Sequence, residues 1–434
     1  VAAGLERVEA DARTSYGSVL AYTGPAEEGL AELQRGMAIA QRLDDHHTWL
    51  RGFINSSDIL ELLGRHEEAA HVAEQGAALA RSLGFERSFG AFLIGNQIEP
   101  LMRLGRWAEA ERLARAALAT GPGGVFERSL LELLAQLHAW RGEYDEAREC
   151  LDAAAAERET DLDWQFVHVL ATTNAEVARG RGDIAGARAI VDRAQILPVT
   201  GAESRYGWPL LWMAARIEAD AMAVDRRRRD GGDDESAGRV AAIEAAAARL
   251  SLATSSNRAY ARMVAAELAR ARGAADVPTW SDAVDGMREA RDVHRLAYAL
   301  WRLAEVACAT GDRGAGATAA AEALTIARDL GAAPLMADVL DLVRRARLPV
   351  DEPVDPSAAD DSFGALGLTE RERSVLAHVA AGHSNAQIGD ALFISPKTAS
   401  VHVSNILTKL GAGSRIEAAA LAHRLGISLD QPVD

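Results

Sequence analysis

The sequence predicts an all-α protein, in which a long array of helical hairpins precedes a small domain of four short helices. Hydrophobic residues make up 49% of the 434 residues but aromatic residues only 5%, so alanine and leucine supply most of the apolar surface. Both residues favour helices. Runs of β-branched and aromatic residues, which are typical of strands, are scarce. Glycines recur at nearly constant intervals through most of the chain, as they do in helical repeats.

These glycines divide residues 1–348 into hairpins of about 40 residues. Each glycine follows an apolar helical run, and a small residue comes five positions later. A left-handed glycine ends one helix without steric cost, and the small residue lets the second helix approach the first. One hairpin cannot bury its own apolar stripe, so we expect neighbouring hairpins to stack into a superhelix. The pairs are Gly24 with Gly29, Gly64 with Ala69, Gly105 with Ala110, Gly142 with Ala147, Gly182 with Ala187, and Gly311 with Gly316.

Two of the hairpin turns, Leu63–Ala69 and Leu104–Ala110, resemble tetratricopeptide repeats. The interval is longer than the usual 34 residues of that repeat, which implies longer helices or loops. The periodicity is lost between Gly182 and Gly311. Within this stretch, Arg226–Glu235 places four arginines beside four acidic residues. We interpret it as a solvated, disordered loop, with a nucleic-acid patch as the alternative.

The charge of the chain is unevenly distributed. The whole chain carries −16, and residues 349–365 form a predicted flexible linker with three prolines and five acidic residues. The predicted C-terminal domain, residues 366–427, has six basic and four acidic residues, and residues 428–434 form a tail. An acidic body discourages indiscriminate DNA binding while leaving a small basic domain free to bind.

Helix-start signals define the C-terminal domain. Three pairs match the capping box, in which two side chains satisfy free backbone N–H groups at a helix N-terminus. The third helix is predicted to begin at Pro396 after the N-cap Ser395, because proline is favoured at the first helical position. It ends at Leu410, before Gly411. The three capping pairs are Thr369 with Glu372, Ser384 with Gln387, and Ser414 with Glu417.

The third helix has the pattern of a DNA-reading helix. A stripe of Ala399, Val403, Ile406 and Leu410 would bury it. Its other faces carry no acidic residue, and they offer short polar groups for base edges, Val401 for a thymine methyl group, and groups for phosphates. The alternative is an ordinary solvated face. The predicted DNA contacts are Ser400, Val401, Ser404, Asn405 and Thr408 toward the major groove, with Lys397, Thr398 and Lys409 placed for phosphates.

Motifs along this domain resemble the LuxR-type DNA-binding domain. They are Leu368–Glu372, Gly382–Asn385 with Ile388, Ser395–Thr398, Val401–Val403, and Lys409–Gly411 with Ile406. The resemblance implies a helix-turn-helix that binds the major groove of double-stranded DNA, and a homodimer formed through the fourth helix. It implies that Lys397, Ser400, Val401 and Ser404 face the groove, whereas Thr398 and Lys409 contact or support the backbone. His402 has either a packing or a DNA-contacting role, and Ala399 departs from the usual valine.

The arrangement of acidic repeats, linker and DNA-binding domain is similar to the C-terminal half of large ATP-dependent LuxR-type regulators of the maltose-activator type. In those proteins an ATPase domain precedes the repeats. This sequence has no glycine-rich phosphate-binding motif and no lysine before Lys397, so we expect no ATP binding and no cofactor. A fragment of a longer chain and an ATPase-lacking relative remain open alternatives.

The sequence therefore predicts a bacterial, sequence-specific transcriptional regulator, and the family analogy favours an activator. The repeats are expected to bind RNA polymerase, another protein or a small-molecule effector. The alternative is a protein-interaction scaffold whose C-terminal domain does not bind DNA. We predict no enzyme, because no catalytic motif is present, and Asp44–His47 fits a polar turn better than a metal site. With no long apolar run, we expect a cytoplasmic protein that is associated with the nucleoid when bound to DNA.

Overall fold

The computed structural model describes residues 2–156, 164–194, 204–228, 234–350, 370–392, 394–410, 412 and 414–424. Every regular secondary-structure element in these residues is a helix, which confirms the predicted all-α fold class. The chain divides into two compact units, Val1–Val350 and Asp351–Asp434. The predicted linker after Val350 and the predicted tail lie outside the described residues. No described helix is both long and apolar enough to cross a bilayer.

The first unit is a succession of helical hairpins. Its helices are α1 (Ala2–Thr23), α2 (Ala26–Arg42), α3 (His46–Leu62), α4 (His66–Ser82), α5 (Ala91–Arg103), α6 (Trp107–Leu118), α7 (Gly124–Arg141), α8 (Tyr144–Ala156), α9 (Trp164–Gly180), α10 (Ile184–Ala194), α11 (Ser204–Arg228), α12 (Asp234–Ala247), α13 (Ser255–Ala271), α14 (Val277–Glu289), α15 (Val293–Ala309), α16 (Arg313–Leu330) and α17 (Ala333–Ala346); a π-helical turn, Glu86–Gly90, precedes α5. Each odd-numbered helix from α1 to α11 packs on the next helix of the chain and on the next odd-numbered helix. The odd-numbered helices from α1 to α13 therefore form one continuous layer.

The turns between helices confirm most of the predicted glycine caps. Gly64, Gly105, Gly142, Gly182 and Gly311 all have positive φ, between 76° and 92°. The prediction for Gly24 is wrong, because its φ is not positive. Pro25 explains the difference: the residue before a proline is held in extended conformations, and α2 begins directly after this proline.

The small residues five positions after the glycines are buried, as predicted. Ala69, Ala110, Ala147 and Ala187 have no exposed surface, and Gly29 and Gly316 are also buried. At Gly29, an added Cβ atom would lie 2.5 Å from the carbonyl oxygen of Gly17. These positions let the two backbones of each hairpin come together.

The repeats continue through the stretch in which the sequence pattern is lost. At the turn between α14 and α15, Arg291 rather than glycine has positive φ, at 56°, and Asp292 caps α15 by accepting from the N–H of Arg295. The prediction of a loop over Arg226–Glu235 is wrong at both ends, because α11 continues to Arg228 and α12 begins at Asp234. Residues 229–233 lie outside the described residues. Arg226 donates to the carbonyl of Arg270, 3.0 Å away at the end of α13, where cations are favoured.

The superhelix curls until its early and late hairpins touch. The side chain of Asp58 in α3 pairs with Arg205 in α11 at 2.6 Å. The Nε2 of His66 donates to the carbonyl of Ala290 at 2.9 Å, and Arg291 pairs with Glu67. In sequence, the partners of the last two contacts are 224 residues apart. We call these contacts, together with Arg103–Asp292, the closure contacts.

A substitution at Gly105 can test the packing near the closure contacts. An added Cβ atom there would lie 2.8 Å from Leu330 and 2.9 Å from Val293, at a φ of 79°. We expect Gly105→Ala to lower the free energy of unfolding by about 2 kcal/mol, from backbone strain and overpacking together. Gly182→Ala is the control, because its φ is 82° but nothing lies within 4 Å of the added atom. Gly182→Ala should lower the free energy of unfolding by about 1 kcal/mol. Urea denaturation measures both variants. Equal losses of stability in the two variants would contradict close packing of Gly105 against Leu330 and Val293.

In the described part of the second unit, four short helices surround one core. They are α18 (Glu370–Ala380), α19 (Asn385–Leu392), α20 (Pro396–Leu410) and α21 (Arg415–Arg424). Helix α20 packs on both α18 and α19, and α21 packs on α18. The buried apolar residues shared by the four helices are Val375, Leu376, Val379, Ile388, Ala399, Val403, Ile406, Ala418 and Ala422. Three of the four residues of the predicted α20 stripe are therefore in this core, and Leu410 packs partly against it.

Candidate nucleic-acid interface

A close approach between α19 and the start of α20 sets the angle of the helix-turn-helix. The N–H of Ile394 donates to the carbonyl of Gly389 at 2.9 Å. Gly389 is buried, and an added Cβ atom would lie 2.7 Å from the carbonyl oxygen of Ile394. Only glycine fits here without moving the backbone of the turn. Gly389 is not among the predicted site residues, although a glycine inside a predicted helix is a signal of such a close approach.

The helix starts of this unit follow the predicted capping chemistry. The N–H of Ser384 donates to Gln387 Oε1 at 2.8 Å, and the N–H of Gln387 donates to Ser384 Oγ at 3.3 Å, which completes a capping box. Ser414 Oγ accepts from the N–H of Glu417 at 3.2 Å. Thr369, one half of the third predicted box, lies outside the described residues. These caps fix where α19 and α21 begin.

Helix α20 begins as predicted. Ser395 Oγ accepts from the N–H of Thr398 at 3.0 Å, and its hydroxyl also shares a hydrogen bond of 2.7 Å with the hydroxyl of Thr398. Pro396 occupies the first helical position, where its missing N–H has no cost. Thr398 therefore helps to cap the helix, besides being exposed.

The structure places the predicted DNA contacts on the exposed surface of α20. Ala399 is fully buried on the opposite side, and Val401 is 53% exposed although it is apolar. Thr408 belongs to the helix, but its side chain lies outside the described residues. The predicted contacts whose side chains are exposed are Lys397, Thr398, Ser400, Val401, Ser404, Asn405 and Lys409. His402 is half-buried beside them, between the core and the surface.

Lys409 has a structural partner that the sequence analysis did not foresee. Its Nζ lies 2.7 Å from Glu372 Oε2 in α18, and Glu372 is only 5% exposed. The pair links the last turn of α20 to the first turn of α18. The sequence contained one signal, because Glu372 precedes the buried Val375 and Leu376 by three and four positions and so shares their helix face. This contact favours the supporting role of Lys409 over a direct contact with DNA.

Arg415 is a second residue that the sequence analysis missed. Its Nη1 donates to Asn385 Oδ1 at 2.8 Å, and its Nη2 donates to the carbonyl of His383. The guanidinium group therefore joins the start of α21 to the start of α19. Through this contact, the fourth helix fixes the helix that packs beneath α20.

The exposed surface of α20 offers polar groups and positive charge. Among the described residues, the side chains of Lys397 and Asn405 make no hydrogen bond or ion pair. Ser404 Oγ donates to the carbonyl of Ser400 at 3.1 Å. No acidic residue occurs between Pro396 and Leu410. The first turn combines Lys397 with the positive end of the helix dipole, an arrangement that suits a phosphate.

Comparison with known proteins finds one family match in each of the two units of the chain. Residues 366–422 match the family described as "Bacterial regulatory proteins, luxR family", and residues 101–166 match a tetratricopeptide repeat family. These matches confirm the two resemblances seen in the sequence, the LuxR-type domain and the tetratricopeptide-like repeats. The likeness to large ATP-dependent regulators stays a prediction.

The similar curated proteins match at the C-terminal domain. Transcriptional regulatory protein LiaR of Bacillus subtilis (strain 168) is 47% identical over 57 residues, which are 13% of this chain and 27% of LiaR. Nitrate/nitrite response regulator protein NarP of Escherichia coli (strain K12) is 47% identical over 64 residues, or 15% and 29% of the two chains. The DNA-binding transcriptional activator DevR/DosR of Mycobacterium tuberculosis is 40% identical over 68 residues, or 16% and 31%. The chain thus spans less than a third of each relative.

Proposed function

From the LuxR-family helix-turn-helix domain at residues 366–422 and the tetratricopeptide-like repeats before it, we propose that this protein is a sequence-specific DNA-binding transcriptional regulator. In this proposal α20 enters the major groove. Ser400, Val401, Ser404 and Asn405 contact base edges, and the exposed Lys397 contacts phosphate or a guanine edge.

The exposed surface of α20 carries this proposal. An ordinary solvated helix of this chain mixes arginine with glutamate or aspartate, as α6 does, whereas α20 combines two lysines with short polar groups and no acid. This composition suits a polyanion. The alternative, a scaffold with an inactive C-terminal domain, would leave no reason for an acid-free surface in a chain whose net charge is −16.

The finer parts of the function are also proposals. We propose that two copies bind two half-sites about one helical turn apart, with α21 between them, because a domain with only two surplus positive charges neutralises few phosphates alone. We further propose that the regulator activates transcription and that the repeats receive its signal or hold RNA polymerase. The name of the similar DevR/DosR describes a DNA-binding transcriptional activator, and this similarity supports the proposal that the regulator activates transcription.

Binding to DNA tests the proposal directly. Fluorescence anisotropy would measure the affinity of the purified chain for fragments from upstream of its own gene, over a salt series. We expect one fragment to bind saturably, with an affinity that falls as salt increases. Lys397→Ala should weaken binding by about tenfold and make the salt dependence shallower by about one counterion if Lys397 contacts phosphate. Ser404→Ala should instead reduce discrimination between the best fragment and its point variants.

A charge-matched control is available in the repeats. Arg112→Ala removes one positive charge from an exposed position of α6 and should leave the affinity unchanged. If Lys397→Ala and Arg112→Ala have the same effect, α20 is not the DNA-reading helix. If no fragment binds better than unrelated DNA, the scaffold alternative replaces the regulator.

A further inference from the structure

The curled repeats surround a cavity of about 540 Å³. Side chains from the odd-numbered helices α1 to α15 line it. The closure contacts bring α11 and α15 next to α3 and α5, so the cavity has walls from both early and late hairpins. Its volume is in the range of cavities that bind small molecules.

Glu132 of α7 is the unusual group in the wall. The residue is only 3% exposed, and its Oε1 has no hydrogen-bond partner among the described residues. Burial raises the pKa of Glu132 to about 8, although the nearby Arg128 acts in the opposite direction. A buried carboxyl oxygen without a partner costs free energy, and such groups are normally satisfied in folded proteins. Glu132 lines the same cavity.

The other charges of the wall neutralise one another. Each arginine that lines the cavity has an acidic partner within 4 Å. The pairs are Arg103 with Glu61 at 2.6 Å, Arg205 with Asp58 at 2.6 Å, and Arg295 with Asp292 at 3.7 Å. Among the described residues, Glu132 forms no such pair. When Glu132 is ionised, it therefore adds a negative charge that no described side chain pairs with directly, although Arg128 is near it.

Apolar and aromatic groups complete the site. Phe92, Leu133 and Trp140 line the cavity, and Phe92 is 39% exposed despite its apolar ring. The guanidinium carbon of Arg295 already lies 4.1 Å from the ring centre of Trp140, so this part of the wall tolerates a cation beside an aromatic face.

We propose that the cavity binds a small organic cation, whose charged nitrogen pairs with Glu132 and whose apolar body lies against Phe92, Leu133 and Trp140. Such a ligand donates to the Glu132 carboxylate and pairs with its negative charge. The proposal assigns a ligand class to the repeats as the signal-receiving part of the regulator. It rests on that part of the proposed function alone, since the site lies within the first unit.

Tryptamine is a suitable probe, because its indole suits the aromatic wall and its ammonium suits Glu132. Isothermal titration calorimetry of the full chain without DNA should show saturable binding with a Kd of about 1 mM or lower. Tryptophol, in which a hydroxyl replaces the ammonium, should bind at least about tenfold more weakly. Glu132→Gln should weaken tryptamine binding by at least about tenfold. Scanning calorimetry should show that this isosteric variant melts no lower than the wild type.

Glu74→Gln is the matched control, because Glu74 of α4 is a carboxylate that is 66% exposed and does not line the cavity. It should change the affinity for tryptamine by less than about twofold. The proposal is overturned by equal affinities for tryptamine and tryptophol, by unchanged affinity in Glu132→Gln, or by no saturable heat at about 5 mM tryptamine. Because DNA is absent, loss of the DNA-binding proposal would not change this result, and failure here would leave DNA binding intact.

Discussion

Replacing Asp220 by asparagine is expected to lower the free energy of unfolding of the repeat unit by about 3 kcal/mol. Asp220 of α11 accepts from Arg270 at 2.8 Å, and from Arg179 and Arg302 at 3.4 Å each. The side chains of these three arginines are at most 16% exposed. An amide would leave three guanidinium groups close together with no central negative charge, and breaking one member of a buried charge network is costly. Urea denaturation at neutral pH measures the difference.

The pH dependence of this difference provides an internal test. Burial opposes ionisation of Asp220, but the charges of Arg270, Arg302 and Arg179 hold its pKa well below the usual 3.8. The ionised carboxylate therefore stabilises the fold above about pH 4, and this stabilisation is lost as the pH falls below that value. Wild type and Asp220→Asn should differ by a constant amount at neutral pH and converge in acid.

The exposed Asp341 provides the control for Asp220. It pairs with Arg345 at 2.6 Å on the surface of α17, and both side chains are more than half exposed. Asp341→Asn should change the stability by less than about 0.5 kcal/mol, because surface pairs contribute little. A cost for Asp220→Asn no larger than that of Asp341→Asn would mean that the network around Asp220 does not stabilise the unit.

Gly389→Val is expected to remove DNA binding, with an affinity loss of about 100-fold or more. The added Cβ atom would lie 2.7 Å from the carbonyl oxygen of Ile394 and 3.3 Å from the nitrogen of Pro396, and both are backbone atoms. The turn must shift to make room, and α20 shifts with it. Overpacking of this kind costs up to about 3 kcal/mol, which is a large fraction of the stability of so small a domain. Fluorescence anisotropy measures the affinity.

Ala386→Val separates the steric effect from the lower helix propensity of valine. Ala386 is an exposed residue of the same helix, so the variant carries the propensity cost without the collision. We expect its affinity to stay within about threefold of wild type. Hydrogen exchange of residues 370–424 should increase in Gly389→Val alone. Similar behaviour of the two variants would rule out the close approach at Gly389 as the cause.

The C-terminal helices could be predicted because their signals are local. Ser395 and Pro396 mark the start of α20, and Gly411 marks its end, so its bounds were predicted exactly as the structure has them. The turn at Arg291 could not be found in this way. A non-glycine residue in the left-handed conformation has a conformational free-energy cost, which the surrounding packing compensates. The spacing of the glycines therefore does not reveal this turn.

The roles of single site residues were harder to predict, because they depend on contacts between distant segments. Lys409 was expected near DNA, but its partner Glu372 lies 37 residues earlier in the chain. Glu132 was not singled out at all. Its neighbours in the cavity come from helices throughout the first unit, and the spacing of residues along α7 contains no information about them.

The closure contacts also determine when the protein can finish folding during synthesis. In an open repeat array, each hairpin needs only its neighbours and can be completed soon after it leaves the ribosome. Here Glu67 and His66 meet partners that are 224 residues later in the chain. At about 5–20 residues per second, the ribosome needs roughly 10 to 45 seconds to add them. During that time the early hairpins of each nascent chain present their unfinished inner surface to chaperones and to other nascent chains.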